Sequence, residues 1–399
     1  MTQRGARLLC GVEITFSVLT SSWVIHAPPS GLFEAQGKTG VPPLSTVAPT
    51  PPFLRSQLST SWLPLALRYN SALTATRHVG PLAMLGIGAT LCFGGGLYAS
   101  WLGHGGRDFA ASLTTFAFYF GVLLLFAARG VPEFLSARFG AGGGCLLGMA
   151  VILGYLIYAF GTNTFALSRA AAITAVVCFP LALAASAQRQ PPGAWQDYVS
   201  IAGVWAAVKF SPSHWIWPYP GGRLAYVFTV LLCVNVALGA FLLARRLPGA
   251  GYSVAWGRRW GLYVGGSFVL FASIAIPLGT ILHFVQFAPR WAQWKTLPFL
   301  TLAVLCFTAW PEEFLFRGLL QNMLARSTKS ELAGWWTASA LFGFSHITNM
   351  GFPNWRYVIL ASIAGLFYGW VWRKTESIFA SALVHVLVDV LWHFLFRTL

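Results

Sequence analysis

Charge is scarce in this chain. Only 9% of its 399 residues are Asp, Glu, Lys or Arg, while 56% are hydrophobic and acidic residues number ten. With a mean hydropathy of +0.65, this excludes a soluble globular domain, about a quarter of which is normally charged. Paired cysteines are absent as well. Cys10, Cys92, Cys145, Cys178, Cys233 and Cys306 form no CxxC or other metal-ligand spacing, and most sit in apolar runs as small hydrophobes. No internal repeat is evident, which weighs against a transporter built on repeated halves. The formal charge of +16 is spread through short loops and not gathered on a polar domain. The membrane surface is therefore its counter-charge, and nucleic acid is not expected as a partner.

What the chain has in abundance is apolar runs of membrane-crossing length. Spans are expected near 81–102, 109–128, 141–161, 170–187, 224–244, 261–285, 297–324, 333–350, 356–372 and 377–397, each close to the length that crosses about 30 Å of hydrocarbon. The fold class is thus all-α: a polytopic transmembrane helical bundle of about ten spans. Residues 1–79 form a separate N-terminal segment. Its first part (8–27) is a weak span or signal-like stretch carrying Glu13 and His26, and Pro42, Pro43, Pro49, Pro51 and Pro52 make the remainder a flexible linker. The stretch 195–220 is too polar for a span, and with Trp215, Trp217 and Tyr219 it reads as an interfacial or re-entrant piece.

Loop charge sets the orientation. Arg245, Arg246, Arg258, Arg259, Arg326, Lys329, Arg373 and Lys374 fall on one side if the spans alternate, which assigns that side to the cytoplasm. Arg290, Lys295, Arg356 and Arg397 fall on the other. This parity leaves the basic N-terminal segment outside, so either that segment crosses the membrane or the span count is off by one.

Seven of the ten acidic residues read as loop or N-terminal, leaving Glu312, Glu313 and Asp389 inside spans. An ionisable group at that depth is costly and marks a functional site by default. Glu313 and Arg317 stand one helical turn apart and can pair, while Glu312 points about 100° away and stays available. Pro311 removes a backbone hydrogen bond and opens or kinks the helix beside the acids. Phe342 and His346 lie one turn apart on the next span, and His385 and Asp389 on the last. The final pair can be a metal half-site, a proton relay or a donor pair for an oxyanion. His393, near the interface, is read as a bystander.

Three motifs in this order, Glu-Glu-x-x-x-Arg at 312–317, Phe-x-x-x-His at 342–346 and His-x-x-x-Asp at 385–389, resemble the CPBP family of CAAX prenyl endopeptidases and bacteriocin-processing or immunity proteins, also called Abi. The likeness covers about 261–399, which divides the membrane part into an N-terminal helical bundle (80–260) and a CPBP-like catalytic core (261–399). It implies an intramembrane protease in which Glu312 and His346 activate a water. His385 and residue 389 would stabilise the oxyanion, with Glu313 and Arg317 as supporting pair. The departure is Asp389, where many members carry Asn: a carboxylate must be protonated to donate, or else orient His385 or bind metal. Members are described both as metalloproteases and as metal-independent glutamate proteases, so a divalent ion such as zinc on Glu312, His346 and His385 stays open.

The function expected is hydrolysis of a membrane-associated peptide or protein by a multi-pass enzyme of a bacterial plasma membrane. Hydrolysis needs a base for water, and a carboxylate in a low-dielectric cavity is a stronger base than in water. The alternative is a catalytically silent CPBP-like membrane protein serving as immunity factor or scaffold. No HExxH or GxGD motif supports the other intramembrane protease chemistries. The Gly343-Phe344-Ser345-His346 run faintly matches a rhomboid serine loop, but it lacks the following glycine and leaves the glutamate pair unexplained.

Overall fold

The computed structural model of the protein describes residues 76–140 and 142–399; the apolar stretch at 8–27 and the proline-rich linker lie outside them. The expected spans appear as helices α1 (Pro81–Trp101), α2 (Gly106–Phe126), α4 (Gly142–Gly161) and α5 (Leu167–Ser186), with the short α3 (Val131–Phe139) between α2 and α4. Next along the chain are α6 (Trp195–Phe210), α7 (Gly222–Ala244), α8 (Trp260–Ile281), α9 (Trp291–Ser327), α10 (Glu331–Phe344), α11 (Trp355–Thr375) and α12 (Ile378–Leu395). Eight of these are long and apolar enough to cross a membrane. Extended backbone among the described residues is confined to two short antiparallel ladders, β1 (Arg77–His78) with β2 (Ala255–Trp256) and β3 (Val285–Phe287) with β4 (Phe396–Thr398). The all-α expectation holds, and the chain is an integral membrane protein.

Helix α7 is the axis of the bundle. Every residue from 227 to 244 is buried, and Asn235, fully enclosed, donates to the carbonyls of Tyr119 and Leu231. The outer helices show the opposite pattern: Leu82, Phe93, Leu262, Val269 and Phe299 are more than 60% exposed. Apolar side chains presented so widely suit hydrocarbon, where the backbone is satisfied within each helix and the outer face needs no polar cover.

The piece at 195–220 corrects the expected topology. Instead of an interfacial segment, its first part is the regular helix α6, packed along α5 and α7. At its start Asp197 is fully buried and ion-paired with Arg245 at 2.7 Å, whose Nη2 also donates to the Pro191 carbonyl. At its end Lys209 donates to Asn349 at 2.6 Å. Asp197 is therefore not the loop acid expected of it. Its charge is compensated by Arg245 and by the backbone N–H groups of Gly193 and Ala194, which is what lets a carboxylate be enclosed.

Because α6 connects the two ends of the bundle, it is the crossing that the loop-charge count lacked. Restoring it puts the start of α1 at the end that holds Arg245, Arg326 and Arg373. The contacts agree: β1 pairs with β2, Val79 N–H donates to the Val254 carbonyl, and Arg326 donates to the Pro248 carbonyl. At the opposite end Arg356 donates to the His283 carbonyl and β4 pairs with β3.

The last four helices are joined by short connections, and α10, α11 and α12 each begin on a side-chain cap. Ser330 accepts from Ala333 N–H, Asn354 from Tyr357 N–H and Ser377 from Ala380 N–H, as their residue types favour. Close packing between α10 and α11 rests on small residues. A Cβ on Gly343 would meet the Val358 carbonyl at 2.5 Å, and one on Gly365 would meet Ser339 at 3.0 Å.

Candidate functional site

The site forms where α9, α10, α11 and α12 meet. Within α9 the regular helical turns around Trp310–Glu313 are flanked by wider π turns at Leu305–Ala309 and Phe314–Gln321. Pro311 explains the first, since its ring would strike the carbonyl four residues back in a normal helix and a wider turn relieves the clash. The expected disturbance beside the acids is therefore a local widening, and the helix continues through it.

Glu313 is fully buried and is the hub. Arg317, also enclosed, lies 3.2 Å from its Oε2. Ser381 Oγ donates to the same oxygen, and His385 Nδ1 donates to Oε1 at 3.0 Å. Arg317 reaches the Gly365 carbonyl and lies over the rings of Phe342 and Tyr368, so its charge is matched by a carboxylate, a carbonyl and two π faces. The expected Glu313 and Arg317 pair is present. The carboxylate also fixes His385, a role the sequence spacing did not reveal.

His385 in turn connects the remaining acids. Its Nε2 is 3.5 Å from Asp389 Oδ2 and 4.0 Å from Glu312 Oε2, so both carboxylates lie beside the same ring nitrogen. The imidazole stacks on Tyr368 with ring centres 4.6 Å apart. Glu312 and Asp389 keep 30% and 25% of their side-chain surface accessible while His385 retains 5%. The accessible surface here belongs to the two acids, and the histidine is enclosed. Glu312 Oε2 is buried and makes no hydrogen bond.

His346 departs from expectation. Helix α10 ends at Phe344, short of the predicted 350, because Ser345, Asn349, Gly351 and Pro353 favour a turn. His346 therefore sits in that turn and not on a helix. Its Nδ1 donates to the Phe342 carbonyl at 2.8 Å, which leaves Nε2 as the acceptor. Among the described residues His346 has no hydrogen bond to Glu312 or His385. It meets the rest of the site through the Phe342 ring, 4.9 Å from His346 and 5.9 Å from His385, and it packs on Tyr357 at 4.8 Å.

Several neighbours escape spacing arguments. Ser381 carries a signal, being one turn before His385 on the same stripe. Tyr368 carries none, because no ionisable residue stands three or four positions from it on α11. His393 donates to the Asp389 backbone carbonyl.

Among the described residues no three His, Cys, Asp or Glu side chains come together so as to hold a metal ion. His385 has Glu313 on Nδ1 and Asp389 and Glu312 near Nε2, while among the same residues His346 has no hydrogen bond to Glu312 or His385.

Fold and site together define a polytopic helical membrane protein with a guanidinium, carboxylate and imidazole chain enclosed by its last four helices. Residues 293–391 match the family model described as type II CAAX prenyl endopeptidase Rce1-like. That segment contains Glu312, Glu313, Arg317, His346, His385 and Asp389, and the likeness to CAAX-type intramembrane proteases read from the three motifs is shown by it at the level of the family. No curated protein and no solved structure matches the chain.

Proposed function

We propose that the protein is an endopeptidase that cleaves a membrane-associated peptide or protein through a water activated by Glu312. The observation that carries this reading is the division of labour between the adjacent acids. Glu313 is consumed by Arg317, Ser381 and His385, while Glu312 keeps 30% of its side-chain surface accessible and only one of its oxygens, Oε2, is enclosed, without a hydrogen bond. A base must reach its water and keep a lone pair for it, and Glu312 meets both needs.

In this reading Glu312 takes a proton from water as the water attacks the scissile carbonyl, and His346 Nε2 accepts or relays it. His385, held from behind by Glu313, carries an N–H at Nε2 toward the developing oxyanion. Asp389 serves as the partner that keeps that N–H charged and oriented, which fits a carboxylate better than direct donation would. Collapse of the tetrahedral intermediate returns the proton to the leaving amine. No step is routed through a metal.

The test is hydrolysis of a membrane-anchored reporter peptide by protein reconstituted in vesicles. Glu312→Gln preserves shape and is expected to lower kcat about 10³-fold, and His346→Ala should be similarly impaired, with both proteins still folded. Full activity in either variant excludes the mechanism. A wild-type protein that cleaves no membrane-associated peptide favours the silent immunity or scaffold reading.

A further inference from the structure

The site has a contact from outside its own segment. Lys209 closes α6, a helix that lies before the matched residues 293–391, and its Nζ donates to Asn349 Oδ1 at 2.6 Å. Asn349 is 9% exposed and sits three residues after His346, to whose carbonyl its own N–H donates. Asn354 closes the same turn, with its side chain on the Asn349 carbonyl and its N–H on the Ile347 carbonyl. Asn354 then caps α11, where Tyr357 packs on the His346 ring. Lys209 is also near enough for its charge to act on Glu312 and His346.

From this geometry we infer that Lys209 is a positioning residue, a latch that holds the His346 turn against the carboxylates through Asn349. The reason is mechanical. His346 is on a turn and not on a helix, so apart from its contacts with Phe342 and Tyr357 its place depends on what holds the turn. The turn's internal hydrogen bonds set its shape but not its place relative to α9. Lys209 supplies that anchor from α6, whose opposite end is tied down by Asp197 and Arg245. A cation also suits this place, because Glu312, Glu313 and Asp389 crowd three carboxylates against Arg317 and His385.

This inference rests on the hydrolase reading for its consequence in catalysis, but its first readout is independent of activity. Lys209→Met keeps the aliphatic stem and removes the donor. In detergent-solubilised full-length protein, amide hydrogen exchange over 345–354 should rise about tenfold, while exchange in α9 and α12 stays unchanged. Lys209→Arg should restore protection. Asn349→Ala should reproduce the effect, and the double variant should add nothing further, as expected for two residues acting through one contact. On a cleaved reporter, Lys209→Met should lower kcat with KM little changed. Unaltered exchange over 345–354 in Lys209→Met overturns the latch whatever the activity. Loosened exchange in a protein whose wild type cleaves nothing upholds the latch and sinks the hydrolase reading instead.

Discussion

Glu313 and His385 share a 3.0 Å hydrogen bond across 72 residues of sequence, and that bond assigns the two adjacent glutamates opposite tasks. Glu313 is committed to an ion pair with Arg317 and to hydrogen bonds from Ser381 and His385. Glu312 keeps 30% of its side-chain surface accessible.

The Glu313 and Arg317 pair is expected to dominate local stability. Each is fully enclosed, so removing one leaves the other charge buried without compensation, a loss of about 3–5 kcal/mol. Glu313→Gln and Arg317→Met should each lower the thermal unfolding temperature in detergent sharply. The double variant should recover part of the difference, because no lone charge remains. Equal unfolding temperatures for wild type and Glu313→Gln would show that the pair contributes little.

Gly343 is expected to tolerate no side chain. A Cβ there overlaps Ser362 and approaches the Val358 carbonyl, so Gly343→Val forces α10 from α11. The expected penalty is about 1–3 kcal/mol, with a loss of activity because α10 leads into the His346 turn. Unchanged unfolding and unchanged turnover would contradict the close seam.

Asp389 and the metal question can be separated in one series. Asp389→Asn keeps the shape beside His385 Nε2 and is expected to retain activity within about tenfold, the amide donating where the carboxylate oriented. Exhaustive chelation should leave turnover of the wild type unchanged. Activity abolished by chelator and restored by zinc would instead require the acids and histidines to rearrange around an ion.

Topology is open to direct labelling. With α6 crossing the bundle, Gln190→Cys and His214→Cys should be modified by an impermeant thiol reagent from opposite faces of the membrane. Labelling of both positions from the same face would return the chain to the ten-span arrangement.

Much of the helical framework is legible in the sequence because a hydrocarbon solvent leaves few options. Apolar runs of sufficient length must be helices, and all ten expected spans have a helix in the described residues. The segment at 195–220 defeats hydropathy for a related reason. Gln196, Asp197 and Ser200 make it more polar, yet all three are buried against other helices, where lipid exposure is no longer the criterion. The parity that stranded the basic N-terminal segment on the wrong side is the trace this missing crossing leaves in the sequence.

The sequence by itself determined which groups could do chemistry, because so few ionisable residues sit in so apolar a chain and one helical turn is enough to pair Glu313 with Arg317 and His385 with Asp389. Only the tertiary structure decided which acid is occupied and which is available. That choice depends on His385 and Ser381 reaching Glu313 from another helix, a contact no periodicity encodes. The same holds for Lys209, whose partner lies 140 residues away and is brought near only when α6 crosses the bundle.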